Sequence, residues 1–171
     1  MSDEGLGARA AAGDRAAFGR LVQQHQSILR GFLLRLTRGN RALADDLAQD
    51  TFLEAWRKIA QFRGAGSFRG WLGRIAYTRY LMEARRRKLE PLEDVPQESE
   101  DVQTMEPGIR FDLERCMAKL SLGERSALTL CYALGHSNEE AAEILDMPVG
   151  TVKSHALRGR KKLLAMMDGA S

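Results

Sequence analysis

Between positions 153 and 162 stand five basic residues and no acid: Lys153, Arg158, Arg160, Lys161 and Lys162. Side chains of this kind bind phosphate oxygens, and arginine also forks onto the edges of bases. On a helix advancing about 100° per residue, Val152, Ala156, Gly159 and Leu163 share one face. Ser154, Leu157, Arg158 and Lys161 share the opposite one, with Lys153 and Arg160 on a flank. A basic face opposed to an apolar face predicts a helix that lies against DNA. A helix that merely closes a bundle would carry charges of both signs.

Two further groups of residues have chemistry to offer. Asp46, Asp50 and Glu54 recur every four positions. On the same wheel Ala44, Ala48, Phe52, Ala55, Trp56 and Ile59 form an apolar arc, while Leu43 and Leu47 fall among the acids. The geometry admits two readings: a solvated acidic face with incidental leucines, or a docking surface for a basic partner. The second group is the nine-residue run from Phe62 to Gly70, with three glycines, two phenylalanines and two arginines. Phe and Arg stack on bases where glycine lets a backbone approach; the alternative is a helix-joining loop whose phenylalanines plug the core. From Trp71 to about Lys88 a helix carries Arg74, Arg79, Arg85, Arg86, Arg87 and Lys88 against Glu83 alone, beginning just after Arg69. So one-sided a run beside aromatics predicts a phosphate-backbone contact surface.

Catalysis finds little support. His25, His136 and His155 have no metal-ligand spacing with each other or with the cysteines, and no phosphate-cradling glycine loop or GxSxG elbow occurs. The expectation is a binding protein rather than an enzyme, with no cofactor and no metal. His25 falls on an apolar stripe and reads as a packed core-edge residue. Cys116 and Cys131 lie in helical segments and read as small buried apolar side chains, a redox pair being the alternative. The N-terminus lacks a signal-peptide layout, and no apolar stretch approaches the roughly 18 residues that span a bilayer. The expected place is the cytoplasm, without membrane insertion.

The elements that must position these residues are helical. Of 171 residues, 44% are apolar but only 6% aromatic, so the core must come mostly from Leu, Ala, Ile and Val. Charge divides the chain. Residues 1–88 carry 17 Lys/Arg against 8 Asp/Glu, residues 89–112 carry 1 against 8, and residues 113–171 carry 8 against 7. The middle block also holds Pro91, Pro96 and Pro107. It reads as an acidic flexible linker, since it buries too little to offset its ordering entropy. The predicted fold is all-α: two small helical domains, 1–88 and 113–171, joined by the linker 89–112.

In the first domain Asp14 caps a helix that ends near Gly39, and Asn40 caps a second reaching about Gln61. In the second domain, helices are predicted over 113–120 and 124–134. Ser137 and Glu140 then form a capping box that starts a short helix, Asn138 to Leu145. Asp146-Met147-Pro148 makes the turn, and a longer helix runs from about Val149–Thr151 to about Met166. Short helix, tight turn, longer basic helix is a helix-turn-helix.

Several runs in both domains resemble one family. Asp45-Asp46-Leu47-Ala48-Gln49-Asp50-Thr51-Phe52, Phe62-Arg63-Gly64, Phe68-Arg69-Gly70-Trp71-Leu72 and Ile75-Ala76 are similar to the first conserved domain of bacterial sigma factors of the extracytoplasmic-function group. Glu139 to Leu145 and Pro148 to Ser154 are similar to the second. The resemblance implies a factor that binds core RNA polymerase and directs promoter-specific initiation. It implies that Asp46, Leu47, Gln49 and Asp50 dock on the polymerase clamp. It implies that Phe62, Arg63, Phe68, Arg69, Trp71, Arg74 and Thr78 recognise and melt the −10 element. It assigns Thr151, Lys153, Ser154, His155, Leu157, Arg158 and Lys161 to the −35 element. An anti-sigma factor, often tethered at the membrane, is the implied inhibitor of a free monomer, covering exposed Leu43, Leu47 and Leu157. Three positions depart from the family. Thr78 replaces its usual Asn, Asp146 a frequent Gly, and His155 its usual Arg, which removes a phosphate contact or makes it pH-sensitive. Aspartate tolerates left-handed backbone, so the turn is expected to survive.

Two rival readings belong to other classes. A sigma mimic that only sequesters an inhibitor would have no use for the basic run at 153–162. A helix-turn-helix regulator with a ligand-binding domain would leave the Asp46–Asp50 surface and the Phe62–Phe68 loop without a purpose.

Overall fold

The structure, a computed structural model, describes residues 1–64, 66–88 and 109–169, and of 109–111 the backbone alone. Among the described residues there are helices and no strand. The first half holds α1 (Asp3–Ala11), α2 (Arg15–Leu36), α3 (Arg41–Lys58, continued by a 3₁₀ turn to Gln61) and α4 (Phe68–Arg87). The second holds α5 (Ile109–Ala118), α6 (Leu122–Leu128, continued by a π turn through Ala133), α7 (Asn138–Leu145) and α8 (Val149–Gly169). Of the predicted linker, 89–108 lies outside the described residues. Its last part is corrected: α5 begins at Ile109, so the second half starts four residues earlier than composition indicated.

Capping decides where most helices begin. The Asp14 carboxylate accepts from the Ala17 amide at 3.1 Å, and the Asn40 side chain accepts from the Leu43 amide at 3.1 Å. Both expected caps are therefore formed. Ser67 caps α4, so Phe68 belongs to the helix and the glycine-rich loop is shorter than predicted. Helix α1 was not anticipated at all. Ser2 caps it, Asp3 and Glu4 occupy its first turn, and it buries Leu6 and Ala10. With one large apolar residue it shows almost no periodicity. Its small residues matter for closeness instead: a Cβ at Gly7 would stand 2.9 Å from the Phe62 ring.

In the second half the complete capping box is at α6. The Ser121 hydroxyl accepts from the Glu124 amide, while the Glu124 carboxylate accepts from the Ser121 amide. The box expected at α7 is only half formed. Ser137 accepts from the Glu140 amide at 3.1 Å, but the Glu140 carboxylate has turned to His136 Nδ1 at 2.9 Å. The buried imidazole offers a partner that the solvated end of α7 does not.

The two halves pack on each other. Helix α7 lies on α4, where the Ile144 side chain faces Gly73, and α6 approaches the end of α2. Arg125 of α6 has no exposed surface. Its guanidinium donates to the carbonyl oxygens of Arg35 at 2.7 Å and Leu36 at 3.0 Å, and to that of Leu120 at 2.8 Å. The first two are terminal carbonyls of α2, at the negative end of the helix dipole; that of Arg35 also accepts from the Arg38 amide at 3.3 Å. Arg69 of α4 does the reverse, donating to the carbonyl of Leu134 at the end of the α6 run. Each half thus supplies an arginine that caps a helix of the other.

Arg125→Ala is expected to cost about 3–5 kcal/mol, because carbonyls bonded to a charged donor are left buried. The denaturation midpoint should fall. The radius of gyration by small-angle scattering should rise above the roughly 16 Å of a compact chain of this length, with helical circular dichroism retained. An unchanged midpoint and a compact radius would show that Arg125 does not hold the halves.

Candidate nucleic-acid interface

The helix-turn-helix is formed as its sequence requires. Asp146 takes left-handed backbone, φ 52° and ψ 53°, and the Met147 amide reaches back to the Ala142 carbonyl at 3.1 Å. Ala142 and Val152 are buried where α7 and α8 cross. On α8 Val152, Ala156 and Gly159 face inward, with Leu163 half-buried behind them. Gly159 is needed there: a Cβ would stand 2.8 Å from Leu128 Cδ1 and 3.1 Å from Glu124 Cβ.

The outward row of α8 consists of Thr151, Lys153, Ser154, Leu157, Arg158 and Lys161, all exposed. Leu157 is 54% exposed, a large apolar side chain among polar ones. Two basic-run residues behave otherwise. His155, assigned to the −35 element by resemblance, is 8% exposed and lies against Gly123 of α6; it is a buried packing residue, not a surface contact. Lys162 reaches the buried Glu124 carboxylate at 2.8 Å. Its charge is held by the fold.

Helix α4 presents a second exposed stripe. Arg74, Thr78 and Arg85 are exposed and fall in one narrow arc, with half-buried Trp71 at its head and exposed Met82 at its edge. Thr78 donates its hydroxyl to the Arg74 carbonyl at 2.9 Å. Arg63 is exposed in the preceding loop. The phenylalanines are not available: Phe62 and Phe68 are buried and pack edge to face at 5.4 Å, with Trp71 and, on Phe68, His25 completing the cluster. In this arrangement they plug the core, so the base-stacking role expected of them is corrected. His25 is a core-edge residue as expected, bonded to Asp3 at 2.8 Å. The basic end of α4 is also less one-sided than its composition. Glu83 binds both Arg86 and Arg87 at 2.6 Å, and these two guanidinium groups draw its carboxyl down to about 2.

On α3 the apolar arc lies elsewhere than the wheel placed it. Leu43 and Leu47 are buried beside Ala44, Ala48, Thr51 and Ala55. Thr51 stands at the centre of this face with its hydroxyl donated to the Leu47 carbonyl at 2.7 Å. A self-satisfied threonine reads as polar in sequence and as core in the fold. Leu47 is therefore not a docking residue in this structure, and Leu43 and Leu47 offer no exposed patch for an inhibitor. Asp46, Gln49 and Asp50 are exposed as predicted. Asp46 and Gln49 border a shallow groove between α2 and α3 that also takes in Asp45, Leu53 and Trp56, with Leu53 52% exposed. Leu53 was missed; its signal was its spacing of seven and three residues from Asp46 and Asp50.

Cys116 and Cys131 are both free thiols, and burial pushes that of Cys131 up, away from the thiolate form. Among the described residues no cluster of His, Cys, Asp or Glu has the makings of a metal site, and no helix is long and apolar enough to cross a membrane.

The first half thus carries an acidic grooved face on α3 and a basic stripe on α4, and the second a helix-turn-helix with a basic outer row. Residues 21–90 match the family model of sigma-70 region 2, and residues 110–163 that of sigma-70 region 4. The chain belongs to the sigma-70 family. It is 35% identical to the ECF RNA polymerase sigma-E factor of Haemophilus influenzae, over 95% of this chain and 94% of that one. The structure of CnrH in complex with the cytosolic domain of CnrY is similar at a TM-score of 0.75 and 31% identity, covering 100% of both chains. The sigma factor RpoE in complex with the anti-sigma factor NepR, from Bartonella quintana, is similar at 0.74 and 28% identity, covering 88% of this chain and 96% of that chain. Within this family frame α3 and α4 belong to region 2, and α7 and α8 to region 4.

The two adjacent lysines of region 4 are expected to separate cleanly. Lys161→Ala should leave the thermal midpoint unchanged. Lys162→Ala should lower stability by about 1–3 kcal/mol, because it leaves the Glu124 carboxylate buried without its cation. Equal midpoints for both variants would show that the Glu124–Lys162 pair does not support α8.

Proposed function

We propose that this chain works as an extracytoplasmic-function sigma factor: it docks core RNA polymerase through region 2 and directs promoter-specific initiation through both regions. The observation that carries the proposal is that one chain exposes, on separate elements, an acidic grooved face and the reading row of a helix-turn-helix. Asp46, Gln49 and Asp50, with Leu53 in place of the buried Leu47, form the clamp-docking face. Acids steer the encounter and an exposed leucine gives apolar contact, as in most polar-rimmed interfaces. Thr151, Lys153, Ser154, Leu157, Arg158 and Lys161 face the −35 duplex, with Arg158 the base reader. Arg63, Trp71, Arg74 and Thr78, joined by Arg85, face the −10 strand.

The closed packing of the halves bears on this activity. About 25 base steps separate the elements named −35 and −10, roughly 85 Å of duplex at 3.4 Å per step. A compact chain of this length is only about 40 Å across. Reading both elements therefore requires the halves to part, which also frees Arg69 from the Leu134 carbonyl. An inhibitor that favours the closed form would keep the factor silent; the similar CnrH was solved in complex with the cytosolic domain of CnrY, and RpoE in complex with the anti-sigma factor NepR. An anti-sigma factor is the proposed partner here too, with a cytoplasmic place of action.

Transcription from a promoter library by core polymerase, with and without the chain, tests the proposal. Asp46→Arg combined with Asp50→Arg should leave circular dichroism unchanged, since both residues are exposed. It should weaken core binding at least tenfold, because a single rim charge is worth little and reversal is needed to turn attraction into repulsion. Undiminished affinity at physiological salt would remove the docking assignment. A chain that binds core but gives no promoter-specific transcript would point to the sigma mimic instead.

A further inference from the structure

We propose that His155 is a positioning residue for promoter recognition: held between α6 and α8, it fixes the guanidinium of Arg158 in the orientation that meets a base edge. The proposal rests on the reading of Arg158 as base reader. His155 is buried with Val152, Ala156 and Gly159 on the inner face of α8, while Lys153, Ser154, Leu157 and Arg158 around it are open to solvent. Its ring lies flat on the backbone of Gly123. A Cβ built there would stand 2.6 Å from Cε1, 2.7 Å from Nε2 and 2.8 Å from Nδ1, nearly equal approaches to three ring atoms. No other residue type fits at position 123 without moving the imidazole.

The floor under the ring is itself fixed. Gly123 lies inside the capping box of Ser121 and Glu124, and Glu124 is tied to Lys162 of α8 at 2.8 Å. One turn along α8, Gly159 brings the helix against Leu128. The imidazole therefore has its position set by contacts on both helices. From there Nδ1 accepts a hydrogen bond from Arg158 Nη2 at 2.9 Å. Acceptance requires the lone pair on Nδ1, so the ring is neutral with its proton on Nε2. Arg158 is otherwise a long side chain with many rotamers, and the fork that reads a base must be aimed as well as charged. Tethering one nitrogen to a buried ring aims the guanidinium. Immobilising one rotamer-rich side chain in advance is worth roughly twofold to twelvefold in affinity.

The test uses the full chain with core polymerase. A preferred −35 sequence is first selected from a randomised library, and the readout is the ratio of affinities for preferred and scrambled −35 promoters. His155→Leu fills the space but removes the acceptor, and should lower the ratio roughly twofold to twelvefold by weakening the preferred site alone. His155→Asn restores an acceptor at the δ position and should recover most of the ratio, which a space-filling role would not predict. Gly123→Ala displaces the ring from the other side and should act like His155→Leu. With Arg158→Ala in place, His155→Leu should have no further effect. If Arg158→Ala lowers the ratio but His155→Leu leaves it unchanged, or lowers it equally without Arg158, the positioning role is wrong. If Arg158→Ala itself leaves the ratio unchanged, the base-reading assignment fails and the positioning role fails with it.

Discussion

A guanidinium without exposed surface stands where the two halves meet, satisfied largely by backbone carbonyls. Burying a cation is costly unless donors and acceptors match. Arg125 meets that condition only while the end of α2 and the start of α6 stay together. Its bonds divide between the halves: the Leu120 carbonyl belongs to region 4, those of Arg35 and Leu36 to region 2. The remaining contacts follow from that approach. Arg35 reaches Glu114 at 3.3 Å, Arg69 caps the α6 run, and Ile144 lies over Gly73. The closed form is therefore a single arrangement with two arginine caps, rather than two loosely touching domains.

This arrangement divides the working faces into free and occupied ones. The outer row of α8, the acids and Leu53 of α3, and the Arg74–Thr78–Arg85 stripe are open to solvent. Arg69 is engaged across the interface, and Phe62 and Phe68 are in the core. The open faces are the ones proposed for contact with polymerase and promoter. Arg63, Arg74 and Thr78 of the proposed −10 set stay open to solvent. Opening the interface and releasing Arg69 are the same event.

Much of this was legible in the sequence, and the failures have physical reasons. The helices capped by Asp14, Asn40 and Ser137 were read well, as was the left-handed turn at Asp146, because local chemistry decides them. The face of α3 was misread because Thr51 satisfies its own hydroxyl and lies at the centre of the buried arc; the wheel then exiled Leu43 and Leu47 to the acidic side. Helix α1 escaped because its packing depends on small residues, which leave no periodic mark. His155 and Lys162 looked like members of a basic surface, and only the approach of α6 through Gly123 and Glu124 shows otherwise. The interdomain caps were beyond any periodicity argument. An arginine bonded to carbonyls some 90 positions away leaves no local pattern.

The central claim is that the chain is closed when free and opens to read a promoter. The most direct measurement is a distance between spin labels at Met82 on α4 and Glu143 on α7, both exposed, in a chain whose Cys116 and Cys131 have been replaced. The account predicts one narrow distance within the roughly 40 Å width of the free chain, replaced by a longer one beyond that width when core polymerase and promoter DNA are added. A free chain with a broad spread of long distances, or a short distance that persists in the transcribing complex, would contradict it.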